Sequence, residues 1–227
     1  MGRRAGGGGE PRHHEPRLRA RRSAAQKKSL IAAERDDAAR AAWRAEAATL
    51  DPTALIFVDE SGANLAMTPR RARAARGQRA YGAVPRNHGA NTTLVAALGV
   101  AGPGPAMTLV GALDRPAFIA YVREFLAPAL APGQIVVLDN LAVHKGAAIR
   151  RLIEARGCRL LFLPPYSPDF APIEHAFSKV KAALRRAGAR TRAALEAAVA
   201  AALDAITPQD AAAWFRHCGH HPPGQSL

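Results

Sequence analysis

Three acidic side chains stand where a carboxylate could take part in metal-assisted chemistry. Asp59 and Asp139 each follow a run of four apolar residues, "LIFV" before the first and "IVVL" before the second. Such short runs are consistent with buried strands. A carboxylate at the carboxyl end of a buried strand sits at the sheet rim, where open α/β sheets receive their ligands. Glu174 follows "LPPYSPDFAPI", in which Pro164, Pro165, Pro168 and Pro172 fix φ and restrict the residues before them. Pro172 suits the first position of a helix, which puts Glu174 in its first turn. If the two strands are neighbours, the rigid loop can swing Glu174 towards both aspartates. Three converging carboxylates repel one another unless a cation sits among them, and carboxylate oxygens suit Mg²⁺ or Mn²⁺. Two such ions about 3.5–4 Å apart can activate a hydroxyl and stabilise a leaving oxygen in phosphodiester chemistry. Taken singly, each aspartate also reads as a turn residue or cap, and Glu174 as a partner for the helix dipole. The combination with the proline loop is what points to a site.

The composition fits that chemistry. The chain has 227 residues, with 32 Lys and Arg against 18 Asp and Glu and a net charge of +14, so a polyanionic partner is expected. The excess is not confined to one end: residues 1–50 carry 12 basic and 6 acidic side chains, and the remainder carries 20 and 12. No apolar run reaches the length of a membrane span, and the arginine-rich start lacks the apolar core of a signal peptide. Cys158 and Cys218 make no disulfide framework, which fits a reducing cytosol.

The elements that must position the acids follow from local patterns. Residues 1–26 are rich in Gly, Arg and Pro and read as a disordered basic segment; 27–50 read as a helical linker. Strands are expected at 55–62, 91–100 and 106–113, the last two separated by "AGPGP", a hairpin signal. The basic stretch 68–81 between the first two reads as a strand or ribbon with turns. Asp114 caps an expected helix over 114–130. A strand "QIVVLDN", a helix closed by Gly157 and a strand "CRLLFLPP" follow, then helices over 172–187 and 191–206. Residues 207–227 read as a tail with at most one further helical turn. The order implies an α/β domain with a mixed sheet over 51–206.

At the residue level, "FVDESG", "LDN…HK" and "LLFLPPYSPDFAPIEHAFSKVK", with 34 residues between Asp139 and Glu174, resemble the DD-E catalytic domain of bacterial insertion-sequence transposases. The group is the insertion sequence 630 family of the mariner-related superfamily, and the resemblance runs from about residue 27 to 215. It implies an RNase-H-like fold, a mixed sheet of about five strands with flanking helices. It implies Asp59, Asp139 and Glu174 as catalytic and metal-binding residues, with Mg²⁺ or Mn²⁺, two ions, as cofactor. The implied activity is DNA strand cleavage and strand transfer in transposition, without a covalent protein–DNA intermediate. The implied partners are transposon-end and target DNA and, when active, a second copy of the chain; the implied location is cytoplasmic, at the nucleoid. Relatives begin with a helix-turn-helix region of roughly a hundred residues, so this chain is expected to be a split or truncated copy served by a separately encoded helix-turn-helix portion. A catalytically inactive DNA-binding remnant and a nuclease that cuts without joining are the alternatives. Relatives also carry Asn where this chain has Ala171, the expected N-cap of the Glu174 helix. Alanine there offers no side-chain acceptor, a loss of about 0.5–2 kcal/mol, so impaired activity is expected.

Several further residues bear on the site. Lys181 and Arg185 fall within about 40° of Glu174 around a 3.6-residue helix and read either as phosphate contacts or as a solvated basic face. Asn140 and His144 flank the second acid; they could orient a ligand or touch DNA, and His144 also reads as a helix-start residue. Glu60 reads as a polar neighbour rather than a fourth ligand. Arg70, Arg71, Arg73, Arg76 and Arg79 form a candidate DNA-binding ribbon or an ordinary solvated edge. "HCGHH" (217–221) packs its His and Cys too tightly for a spaced zinc motif and reads as a polar tail.

Overall fold

The structure, a computed structural model, describes Gly2 and residues 32–222. The segment expected to be disordered, 1–26, lies outside the described residues apart from Gly2. No helix among the described residues is long and apolar enough to cross a membrane.

Five strands form the frame: β1 (Leu55–Ala63), β2 (Thr92–Gly99), β3 (Gly102–Val110), β4 (Ile135–Leu138) and β5 (Arg159–Phe162), in the spatial order β3-β2-β1-β4-β5. The first three pair antiparallel, whereas β1, β4 and β5 run parallel, so the sheet is mixed. Side chains alternate between its faces with period two. Leu55, Phe57, Leu94, Ala96, Leu98, Ile135 and Val137 enter one core. Val58, Val95, Ala97, Val136, Leu138 and Leu160 enter the other. All four residues of β4 are buried, which explains why its sequence is continuously apolar rather than alternating.

The first core is closed by four helices: α1 (Asp37–Ala47), α5 (Pro172–Ala187), α6 (Arg192–Asp204) and α7 (Pro208–His217). The second is closed by α2 (Arg115–Tyr121), a π-helical turn (Val122–Leu126) running into α3 (Ala127–Ala129), and α4 (Ala147–Glu154). α5 matches its expected span because both ends are marked in the sequence. Pro172 opens it, and Gly188, in the left-handed region at φ 57°, closes it by bonding to the Leu184 carbonyl.

Several expectations need correction. β3 starts at Gly102 rather than 106 and contains Pro103 and Pro105, which is tolerated because β3 is an edge strand and its outer side needs no donors. The helix expected over 114–130 widens to a π turn, with the Ala127 amide reaching the Val122 carbonyl. Pro128 lies just beyond; it lacks an N–H and crowds the preceding turn of an α-helix. Residues 68–81 contain no strand, and 70–84 are exposed throughout; with no apolar alternation there is no face to bury. Residues 208–217 are not a tail. They form α7, closed at its start by a reciprocal capping box between Thr207 and Asp210. Ala211 and Phe215 of α7 are buried in the first core. Of the expected helical linker 27–50, residues 27–31 lie outside the described residues; the rest is no mere linker, since Trp43 and Ala47 of α1 lie in that same core.

Candidate active site

The strand register sets the first two acids side by side. β1 and β4 pair in parallel with Phe57 opposite Val137. Two residues further along each chain are Asp59 and Asp139, which by period two face the same side as Phe57 and Val137, the side covered by α5. Asp59 is not at the end of its own strand: β1 continues to Ala63, paired with β2. It stands at the rim of β4, which ends at Leu138. The third acid arrives along the proline loop. Leu163, hydrogen-bonded to the Leu138 carbonyl at 2.8 Å, continues β5, and a short 3-10 turn, Pro168–Phe170, then delivers the chain to α5. Glu174 occupies the first turn of α5 and is exposed. Asp59, Asp139 and Glu174 line one cavity of about 430 Å³, walled also by Asn140, Leu141 and residues Leu163 to Pro168.

The electrostatics of that cavity are those of a site short of positive charge. Burial pushes the Asp59 carboxyl up to about 8, and the charges of Glu60, Glu174 and Asp139 add to the rise against the Glu60 amide bond that lowers it. A carboxyl held neutral by burial, and further by neighbouring carboxylates, would ionise once a cation joined them. The donors present are all oxygens, so a hard divalent cation fits the set. Among the described residues no three His, Cys, Asp or Glu side chains are gathered closely enough to hold a metal ion as they stand. The acids line a shared cavity instead.

His144 lies behind the second acid. It is fully buried against the ring of Phe118, 4.4 Å between centroids. Its Nδ1–H donates to Asp139 Oδ1 at 2.5 Å, and its Nε2 lies 3.2 Å from Glu60 Oε2, close but misaligned for a hydrogen bond. Burial alone would lower its pKa; the interactions with Asp139 and Glu60 overcome that and hold it up at about 9. Asp139 Oδ1 also accepts the Leu141 amide at 3.0 Å, so the orientation of this acid is fixed from two sides. His144 thus stands between the Asp139 and Glu60 carboxylates.

Of the other expected residues, Asn140 lines the cavity. Lys181 and Arg185 are half-buried along α5, on the side that the 3.6-residue period assigns to Glu174. Arg70, Arg71, Arg73, Arg76 and Arg79 are exposed and lie outside the cavity wall.

Sequence reasoning missed three contributors. Tyr166, at the cavity wall, is 58% exposed with a left-handed φ of 51°; strain of this kind at a non-glycine residue clusters at functional sites. Arg40 reaches from α1 to Asp169 in the proline loop. His220, inside the supposed polar tail, is 3% exposed, lies against Phe57 at 5.0 Å and donates from Nε2 to the Phe170 carbonyl at 2.8 Å. Of these three, only the last had a local signal: the "TPQD" capping pattern announces the helix that leads to it.

Comparison with known proteins agrees with the geometry. A pre-cleavage Mos1 transpososome superposes with a TM-score of 0.69 at 15% identity, covering 87% of this chain and 64% of that one. A Mos1 paired-end complex with Mg gives 0.64 at 17% identity, over 86% and 63%. The catalytic domain of Mos1 mariner transposase gives 0.53 at 13% identity, over 79% and 84%. The chain therefore spans somewhat less than two thirds of the longer Mos1 chains and shares the RNase-H-like fold, a mixed five-stranded sheet with flanking helices. No curated protein matches it in sequence. The family description "DDE superfamily endonuclease" matches residues 54–196, a segment that runs from just before β1 through Glu174 into α6, and the chain belongs to that superfamily.

Proposed function

We propose that this domain is the catalytic part of an insertion-sequence transposase of the insertion sequence 630 type, cutting DNA and joining the free 3′ end to a target. The observation that carries the reading is the convergence of Asp59, Asp139 and Glu174 on one cavity at the sheet rim. Membership of an endonuclease superfamily and solved Mos1 complexes with Mg and with Mn support it.

In this reading Asp59, Asp139 and Glu174 hold two Mg²⁺ or Mn²⁺ ions. Bound there, such ions supply activation of a hydroxyl nucleophile and stabilisation of the leaving oxygen. The protein's own part is positional. His144 and the Leu141 amide fix the Asp139 carboxylate. Lys181 and Arg185 receive the DNA backbone beside Glu174, and the exposed arginines of 70–79 extend that interface. Tyr166 offers its ring to the DNA at the cavity mouth. A second copy completes the active assembly. Among the described residues the long helices α1, α5, α6 and α7 are all spent on the core, so end recognition is not assigned to them.

The test is nicking of supercoiled plasmid with Mn²⁺, compared with Asp139→Asn, followed by joining of a pre-cut 3′-OH donor. Nicking abolished by the substitution, with joined products from the wild type, is the expected result. Nicking without joining would reduce the protein to a nuclease. No metal-dependent nicking would leave only a DNA-binding remnant.

A further inference from the structure

The turn that delivers Glu174 is held from outside the segment matched to the family. Arg40 is 1% exposed and meets Asp169 through two parallel hydrogen bonds, Nη1 to Oδ1 at 2.9 Å and Nη2 to Oδ2 at 2.6 Å. Its guanidinium lies 4.1 Å above the ring centroid of Phe170, and Arg44 lies 5.0 Å from the same ring. His220, from beyond α7, bonds the Phe170 carbonyl. Asp169 and Phe170 are therefore tied by an N-terminal helix and by a C-terminal histidine, one on each flank of residues 54–196. Immediately after them comes Ala171, which caps α5 with no side-chain hydrogen bond.

A buried arginine is a poor way to gain stability, because the loss of hydration offsets much of the attraction to its partner. What a bidentate fork supplies in addition is orientation, fixing two oxygens in one plane. Here the partner carboxylate is 56% exposed, so water could serve it equally well if stability were the only need. The fork also lies five residues before Glu174, with the φ-locked Pro172 between them, so the orientation is transmitted along a stiff path.

We propose that Arg40 and His220 are positioning residues for Glu174, setting the direction from which the third acid enters the cavity. This rests on the three-acid reading above, and the two can fail separately. Arg40→Met removes the fork while keeping an unbranched apolar stem, and it leaves Asp169 free to hydrate. His220→Phe keeps a ring against Phe57 and removes the bond to Phe170. Each variant is compared with the wild type by melting temperature, by Mn²⁺ titration calorimetry and by hydrogen exchange of amides 173–176. Both are expected to stay folded, to bind Mn²⁺ about 10- to 100-fold more weakly, and to exchange faster in the first turn of α5 but not in β1. Asp169→Asn, at the exposed end of the pair, keeps one acceptor and replaces Arg40→Met should that variant not fold; a smaller shift of the same sign is expected.

Unchanged exchange and unchanged Mn²⁺ affinity in the folded variants would overturn the proposal, leaving these interactions as packing alone. A fall in melting temperature without either change would do the same. If the wild type binds no Mn²⁺ while exchange still rises in the variants, the positioning role stands and the metal reading falls.

Discussion

Ala171→Asn tests how much the missing cap costs the turn that carries Glu174. The residue is the N-cap of α5, at φ −102° and ψ 102°, and it makes no side-chain bond. Asparagine in place of alanine at such a position is worth about 0.5–2 kcal/mol, but the structure trims that figure. Pro172 has no amide hydrogen to satisfy. The Glu174 amide already reaches the Ala171 carbonyl at 3.2 Å. That leaves the Ile173 amide as the one donor of the turn with a full bond to gain. Against the gain, Ala171 is only 5% exposed and lines the cavity, so the new amide must share that space with solvent. The net expectation is about 0.5 kcal/mol, the low end of the capping range. For a domain of this size that is a rise of roughly 1–2 °C in melting temperature. If the whole gain goes into ordering the third ligand, nicking rises about twofold.

The assay needs wild type, Ala171→Asn, Glu174→Gln and the double substitution, each followed by scanning calorimetry and by Mn²⁺-dependent nicking. A rate increase that survives in the double variant identifies a contaminating nuclease. A folded Ala171→Asn protein with neither a higher melting temperature nor a higher rate would refute the capping argument, and would assign the order of this turn to Arg40 and His220 instead.

Binding to duplex DNA should be steeply salt-dependent, weakening about 10³- to 10⁵-fold between 50 and 200 mM salt if six to ten phosphates are neutralised. Replacing Arg70, Arg71 and Arg73 together should flatten the log–log salt slope by about 0.9 for each phosphate that is no longer neutralised, as read by fluorescence anisotropy; an unchanged slope would remove them from the interface. Phe215→Ala should cost about 3–5 kcal/mol, because the ring is 1% exposed and packs edge-on against Phe57 at 5.5 Å; a melting temperature equal to wild type would return residues beyond 207 to the status of a tail. Acid sensitivity should show at Asp210, whose hydrogen bond from Lys179, with those from Thr207, lowers its pKa from 3.8 to about 2. The stability it contributes is present above the unfolded value and lost as pH falls through the folded one. The gap in melting temperature between wild type and Asp210→Asn should therefore close between about pH 4 and pH 2, and a gap constant over that range would exclude the charge as its source.

What could be read in the sequence divides by the range of the interaction. β1 and β4 announce themselves through apolar runs ending in acids, and α5 through Pro172 and Gly188, because strand period, first-turn proline and glycine cap are local effects. The early start of β3 was hidden because a proline is acceptable in a strand only if that strand is an edge, and edge status belongs to the sheet, not to the segment. Burial of Arg40 was hidden for the same reason: its partner is 129 positions away, and nothing within a helical turn of it predicts the pairing. His220 sits in a cluster whose composition suggests a polar tail, and only docking of α7 through Phe215 turns that cluster inward.

The four prolines illustrate the boundary between the two kinds of information. Each proline fixes one φ and narrows the conformation of the residue before it, so a proline-rich loop is stiff. Stiffness alone does not choose a direction: the same rigid segment hinged at Leu163 could carry Glu174 towards the cavity or away from it. Direction requires ties to parts of the protein that are themselves fixed. Here those are the Arg40 fork on Asp169, the His220 bond to the Phe170 carbonyl, and burial of Phe170 and Ile173 in the first core. Replacing the prolines singly should therefore loosen the loop without redirecting it, whereas cutting the ties should redirect a loop that is still stiff. The sequence writes the stiffness of this loop into adjacent residues, and the fold supplies its aim from both flanks of the matched segment.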